Sequence, residues 1–184
     1  MDREKIKEIT KKSESLSNNN VIHMDILGNF DIISKEENSD RVIAGYGNCS
    51  IIDSDNQHIP PQVLQKGIET LLNDDGFYAN IMLTHSNIQI GKIIDSYGEH
   101  KTHVDDNGLY IVATLRKDLE IANNVWDKIV NGEIDSFSIS GEVIASHNVC
   151  DSNSCWEQID KINLFEISLC QFPVNKASKL ANKT

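Results

Sequence analysis

The sequence predicts a mainly β fold with helices (α+β): a curved antiparallel β-barrel of about seven strands flanked by helices. Three observations carry that expectation. Short apolar segments bounded by Gly, Asn, Asp and Pro recur along most of the chain, two segments repeat their apolar residues at helical spacing, and consecutive β-rich segments follow one another through turns, as antiparallel neighbours do. At 184 residues the chain suits one domain with a real core rather than two.

Residues 1–20 are charged and then polar. Their apolar residues, Ile6, Ile9 and Leu16, are too sparse for a packed helix, so a flexible N-terminal tail is expected. The folded domain is expected over 21–178, with 179–184 as a C-terminal tail. It opens with the apolar bursts Val21–Leu27 and Phe30–Ile33. Arg41–Asp53 reads as a strand with Val42, Ala44 and Tyr46 on one side and Ile43 and Gly45 on the other, followed by the turn cluster Asp53–Asn56. Pro60-Pro61 suits the first turn of a helix reaching about Asn73, with Val63, Leu64, Gly67, Ile68, Leu71 and Leu72 as its apolar stripe. Strands are expected at Phe77–Thr84, Ile88–Ser96 and Gly108–Leu115, the last two separated by a polar loop. Asp118 is placed to cap a second helix, in which Leu119, Ala122, Val125, Trp126 and Ile129 recur at helical spacing before Gly132 ends it. A serine-rich strand follows at once, and Glu157–Gln171 supplies one or two more before Phe172-Pro173-Val174-Asn175.

A net charge of −11 with only three arginines argues against nucleic-acid backbone as the main partner. No apolar run approaches the roughly 18 to 20 residues that span a bilayer. The first residues lack the apolar core of a signal peptide, so the protein is expected to stay in the compartment where it is made. Cys49, Cys150, Cys155 and Cys170 are accordingly expected as free thiols. His147, Cys150 and Cys155 lie within nine residues and have zinc-ligand chemistry. A structural zinc site takes four ligands in paired short spacings, however, and no second pair exists, so a polar hairpin loop is expected there, with no metal and no cofactor.

The stretch Ser136-Phe137-Ser138-Ile139-Ser140 places hydroxyls at every second position. On a strand, Phe137 and Ile139 would enter a core while Ser136, Ser138 and Ser140 share the opposite face. The same pattern fits a half-buried strand with a serine-rich outer face, so partners decide. A serine becomes a nucleophile through a base, and the base through an orienting group. Of His23, His58, His85, His100, His103 and His147, His85 ends the apolar segment Ile81–Thr84, where a sheet fixes it and a cleft remains within reach; a structural histidine fits there as well. Glu166 interrupts the apolar Leu164–Cys170. Buried, it requires a partner such as histidine; on an edge strand it would face out.

Several fragments in one order connect these residues. They are Ile43-Ala44-Gly45-Tyr46-Gly47, the Asp53 turn leading to Ile59-Pro60, Leu83-Thr84-His85 with Ile90-Gly91-Lys92-Ile93, and Gly108–Ala113. Val130–Ile139 follows, then Leu164–Leu169 closing on Pro173-Val174-Asn175-Lys176-Ala177. Over roughly residues 22–178 the chain resembles the prohead maturation proteases of tailed phages. The resemblance implies the fold shared with herpesvirus assemblins and a serine endopeptidase in which Ser138 is nucleophile, His85 base and Glu166 the orienting acid. Ser138 is preferred because Ser138-Ile139 matches the family's Ser-Ile motif; Ser140 is the alternative nucleophile and Ser136 the third. With no arginine nearby, the oxyanion role falls to backbone N–H groups of Ile139, Ser140 and Gly141. The implied substrates are the capsid scaffold and major capsid protein, together with the enzyme's own tails, inside assembling proheads in the host cytoplasm. A homodimer is possible, and neither nucleic acid nor membrane is implied as a partner. The alternative is a catalytically inert capsid-assembly or scaffold module that keeps the protease fold.

Overall fold

The structure, a computed structural model, describes residues 21–34, 40–73 and 79–170. The expected tails, the first two residues of the expected Phe77–Thr84 strand and the Phe172–Asn175 segment lie outside the described residues. In chain order the elements are β1 (Val21–Ser34), β2 (Arg41–Cys49), β3 (Gln57–His58), α1 (Pro61–Asn73), β4 (Asn80–Leu83), β5 (Gln89–Ile94) and β6 (Ser96–Tyr97). There follow β7 (His100–Lys101), β8 (His103–Asp105), β9 (Gly108–Leu115), α2 (Glu120–Val130), β10 (Ser136–Cys150) and β11 (Cys155–Cys170). Among the described residues the fold is mainly β with two helices, as the sequence predicts.

Strands β10-β1-β2-β9-β5-β4-β11 are neighbours in that order, and β11 pairs back to β10, so a ring of seven strands curls on itself. Within the ring one seam departs from the antiparallel expectation: β4 runs parallel to β11, as the short β3 does outside the ring. Parallel neighbours need a long crossover connection, and most of the domain lies between β4 and β11. The two expected bursts at the start form the single strand β1, which absorbs Gly28-Asn29 through a register shift between Met24 and Gly28.

The strands alternate as their sequences require. Ile43 of β2 and Leu109, Ile111, Ala113 and Leu115 of β9 enter the main core, while Val42, Ala44 and Val112 form a small apolar cluster on the other face. In α1, Val63, Leu64, Gly67, Ile68 and Leu71 are buried, with Leu72 at the exposed margin of the expected stripe. Helix α2 buries Ala122, Val125, Trp126 and Ile129. Its N-cap is Leu119 with no side-chain cap, contrary to the expected capping by Asp118. The Asp118 carboxylate is held instead by the Arg116 guanidinium, with Nε donating to Oδ1 at 2.9 Å. That two-point ion pair competes successfully for the same oxygens.

Gly108 opens β9 at φ +139°, and a Cβ there would lie 2.0 Å from the Asn48 carbonyl oxygen. Gly108→Ala is therefore expected to cost about 3 kcal/mol or more, measured as the shift of the urea unfolding midpoint, since neither backbone angle nor neighbour gives way.

The free-thiol expectation fails for two of the four cysteines. Cys150 and Cys155 are cross-strand partners at the tip of the β10–β11 hairpin and form a disulfide, whereas Cys49 and Cys170 remain thiols outside any disulfide. Their spacing around the turn Asp151-Ser152-Asn153-Ser154 is the local signal for such a bridge; compartment reasoning outweighed it. The bridge closes a ring of only six residues, 150 through 155, so its reduction is expected to remove at most about 2 kcal/mol of stability. Thermal melts with and without dithiothreitol measure this, and a much larger loss would mean that the hairpin tip supports the barrel.

Candidate active site

Strand β10 carries Phe137 and Ile139 into the core and Ser136, Ser138 and Ser140 on the opposite face, in agreement with the alternation of its sequence. All three serines are buried, Ser138 completely. On one side of β10 the ladder with β1 is interrupted at the central serine: Met24 pairs with Ile139 and Gly28 with Phe137, leaving positions 25–27 across from Ser138 alone. Such irregularities locally release backbone from the ladder and recur beside functional groups. On the other side Ser138 faces Ser168, and Ser140 faces Glu166.

Glu166 reaches this face because β11 changes phase. Ser140 pairs with Glu166 and Gly141 with Leu164, so Phe165 is an extra residue in the ladder. Without it, Glu166 would follow Leu164 into the core at period two. With it, the core positions become Leu164, Ile167 and Leu169, and Glu166 and Ser168 turn to the serine side. Gly141 permits the close approach at this point, since a Cβ on it would lie 2.6 Å from the Asn163 carbonyl oxygen.

His85 comes from the turn after β4. The Ser86 N–H donates to the Leu83 carbonyl at 2.9 Å, with Thr84 at φ +48° and His85 at φ +51° between them. Two left-handed central residues make a type I′ turn, which favours Asn and Gly. A β-branched Thr followed by His stores strain of about 1–3 kcal/mol per residue. Pairing with β11 holds the turn: Thr84 N–H donates to the Leu169 carbonyl at 3.1 Å, and His85 N–H donates to Ser168 Oγ at 2.8 Å.

The imidazole then bridges the two other groups. Its Nε2 lies 2.9 Å from Ser138 Oγ, and its Nδ1 lies 2.6 Å from Glu166 Oε1. A carboxylate only accepts, so the Nδ1 proton points at Glu166 and Nε2 presents its lone pair to the Ser138 hydroxyl. The side chains of His85 and Glu166 are 13% and 11% exposed, which leaves their attraction poorly screened. Ser168 Oγ donates to the same carboxylate oxygen at 3.1 Å. This arrangement can take a proton from a serine hydroxyl and stabilise the resulting imidazolium.

The other expected site residues fall nearby. Ser140 lies one pleat along the same face, next to Glu166 in register, while Ser136 Oγ donates to Asp135 Oδ1 at 2.8 Å. Ile139, Ser140 and Gly141 lie in β10 between β1 and β11, at the register shift between Ser140 and Gly141. The remaining described histidine side chains have other partners: His58 with Ser50 and Gln158, His100 with Tyr110, His103 with Asp105 and His147 with Asp160. The bridged sulfurs of Cys150 and Cys155 are no longer thiolates, and no cluster of three metal-ligating side chains occurs among the described residues. None of the helices among those residues is long and apolar enough to cross a membrane. Two features are not among the sequence expectations: the bulge at Phe165, signalled by the shift of the apolar alternation from Ile162 and Leu164 to Ile167 and Leu169, and Ser168, signalled by its place two residues after Glu166 on an alternating strand.

A serine, an imidazole and a buried carboxylate stand in hydrogen-bonded series on a curled seven-stranded sheet, an arrangement that the class of serine peptidases uses. Within that class it belongs to the caudovirus prohead serine protease family, whose model matches residues 29–184. Among solved structures, it is similar to the capsid assembly protease of bacteriophage T4, with a TM-score of 0.62 over 85% of this chain and 100% of that one. Sequence identity there is 14%, so the likeness is one of fold. No curated protein shows significant similarity to the chain.

Proposed function

We propose that this chain is a serine endopeptidase of prohead maturation in which Ser138 is the nucleophile, His85 the general base and Glu166 the orienting acid. The observation that carries the assignment is the unbroken path from Ser138 Oγ through both imidazole nitrogens to Glu166 Oε1, at 2.9 and 2.6 Å. His85 Nε2 takes the hydroxyl proton as Ser138 Oγ bonds to the peptide carbonyl carbon. The same proton passes to the departing amine, and water, activated by His85 in turn, releases the acyl group and restores Ser138. Glu166 keeps Nδ1 protonated and balances the imidazolium. Backbone N–H groups around Ile139, Ser140 and Gly141, beside the register shift, serve the oxyanion.

The substrates are scaffold and capsid precursors and the enzyme's own tails, within assembling proheads in the host cytoplasm; family membership and the likeness to a capsid assembly protease support this. A homodimer is compatible with the reading. One observation favours the inert assembly module instead: Ser138 has no exposed surface, so the cover over this face must shift to admit a peptide. A fluorophosphonate, much smaller than a peptide, separates the two. The expected result is an adduct on Ser138 by peptide mass mapping, lost in His85→Ala. An adduct on Ser140 would move the nucleophile one pleat, and a folded native protein that takes no label would sink the enzyme in favour of the module.

A further inference from the structure

We infer that Ser168 is a fourth member of the site, a positioning residue that locks His85 and Glu166 to each other. The inference rests on the proposed triad and adds to it a residue that the chemistry does not consume. Ser168 is fully buried, directly across from Ser138 in the β10–β11 register. Its hydroxyl has two jobs that use its hydrogen-bonding capacity in opposite senses. It accepts the backbone N–H of His85 at 2.8 Å and donates to Glu166 Oε1 at 3.1 Å. One oxygen thus fixes the backbone of the base and the carboxylate that orients its ring.

The need for such a clamp follows from the turn. Thr84 and His85 both sit at positive φ, a conformation disfavoured for these side chains, and the imidazole direction depends on holding it. Ser168 Oγ grips the N–H of the second strained residue. It also takes up an acceptor site on Oε1, the oxygen that receives Nδ1–H at 2.6 Å, and so restricts rotation of the carboxylate. Alanine at this position leaves a half-buried N–H without Ser168 as its acceptor and a carboxylate without Ser168 as a donor, with the β10–β11 ladder otherwise intact.

The test is the phosphonylation rate of the native protein, Ser168→Ala, Glu166→Ala and the double variant, each shown folded by its thermal melt. Ser168→Ala is expected to label about 10- to 100-fold more slowly than native, the usual consequence of a misdirected catalytic group. In the Glu166→Ala background, where Ser168 Oγ has no carboxylate left to hold, the same change is expected to cost less than about threefold, because residues that act as a unit are not additive. Ser168→Cys, close in volume with a weaker hydrogen-bonding group, takes the alanine variant's place if alanine prevents folding, and the same pattern is expected. A native rate in either single variant of Ser168 would overturn the role, as would an equal loss in both backgrounds, which is the mark of simple packing. If the native protein itself takes no label, the triad fails and this role with it; labelling of native and variant alike defeats the Ser168 role alone.

Discussion

Ser138→Ala is expected to lower cleavage of co-expressed capsid and scaffold precursors by about 10⁴- to 10⁶-fold, the range seen when a serine nucleophile is removed from a peptidase. The fold should survive. Ser138 is buried with its hydroxyl on His85 Nε2, and alanine differs from it by that one oxygen. The stability cost of the lost hydrogen bond is about 1 kcal/mol, far too little to unfold a domain. Gel or mass-spectrometric quantitation of product, beside a thermal melt of the variant, measures both. Substantial residual cleavage by a folded Ser138→Ala would transfer the nucleophile to Ser140, whose own alanine variant then has to show the loss.

Glu166→Gln carries the second-largest effect, an expected fall of about 10²- to 10⁴-fold in kcat. The glutamine carbonyl can occupy the position of Oε1, where it still accepts from His85 Nδ1 and Ser168 Oγ. The tautomer is then preserved and only the negative charge disappears, so the imidazolium formed during attack loses its counter-ion in a poorly screened site. The loss should appear in kcat with little change in KM, because the carboxylate touches no substrate. A folded Glu166→Gln with an unchanged rate removes Glu166 from the mechanism.

The fold was legible wherever one periodicity ran without interruption. Ile43 against Val42 and Ala44, the stripe of α1 and the Phe137–Ile139 alternation each landed on the expected side, since a single buried face dictates such patterns. The three residues drawn together at the site stood out as polar groups on an apolar strand or strand end, but each also fitted a structural reading, and the resemblance to prohead proteases is what grouped them. What the sequence hid was phase. Glu166 sits at the parity of the core residues Ile162 and Leu164, and the extra Phe165 reverses it; the one local mark is that the apolar alternation itself resumes out of phase at Ile167 and Leu169. The left-handed turn at Thr84-His85 was hidden for the converse reason. Its residues are poor I′ formers, so tertiary bonds from Leu169 and Ser168 override local preference. The parallel β4–β11 seam, likewise, joins segments with no turn between them to reveal the pairing.

That seam also sets a clock. His85 and Glu166 are 81 positions apart, and the turn carrying His85 is held by the last residues of β11. A chain growing from the ribosome has exposed β4 long before β11 exists, and non-local pairings of this kind are the slow ones to form. On the proposed triad, neither the base nor its carboxylate is in place until translation has passed Leu169 and the last strand has docked. A nascent chain therefore carries Ser138 without its base and carboxylate, and on the proposed triad no peptide bond is cut before β11 has emerged and docked.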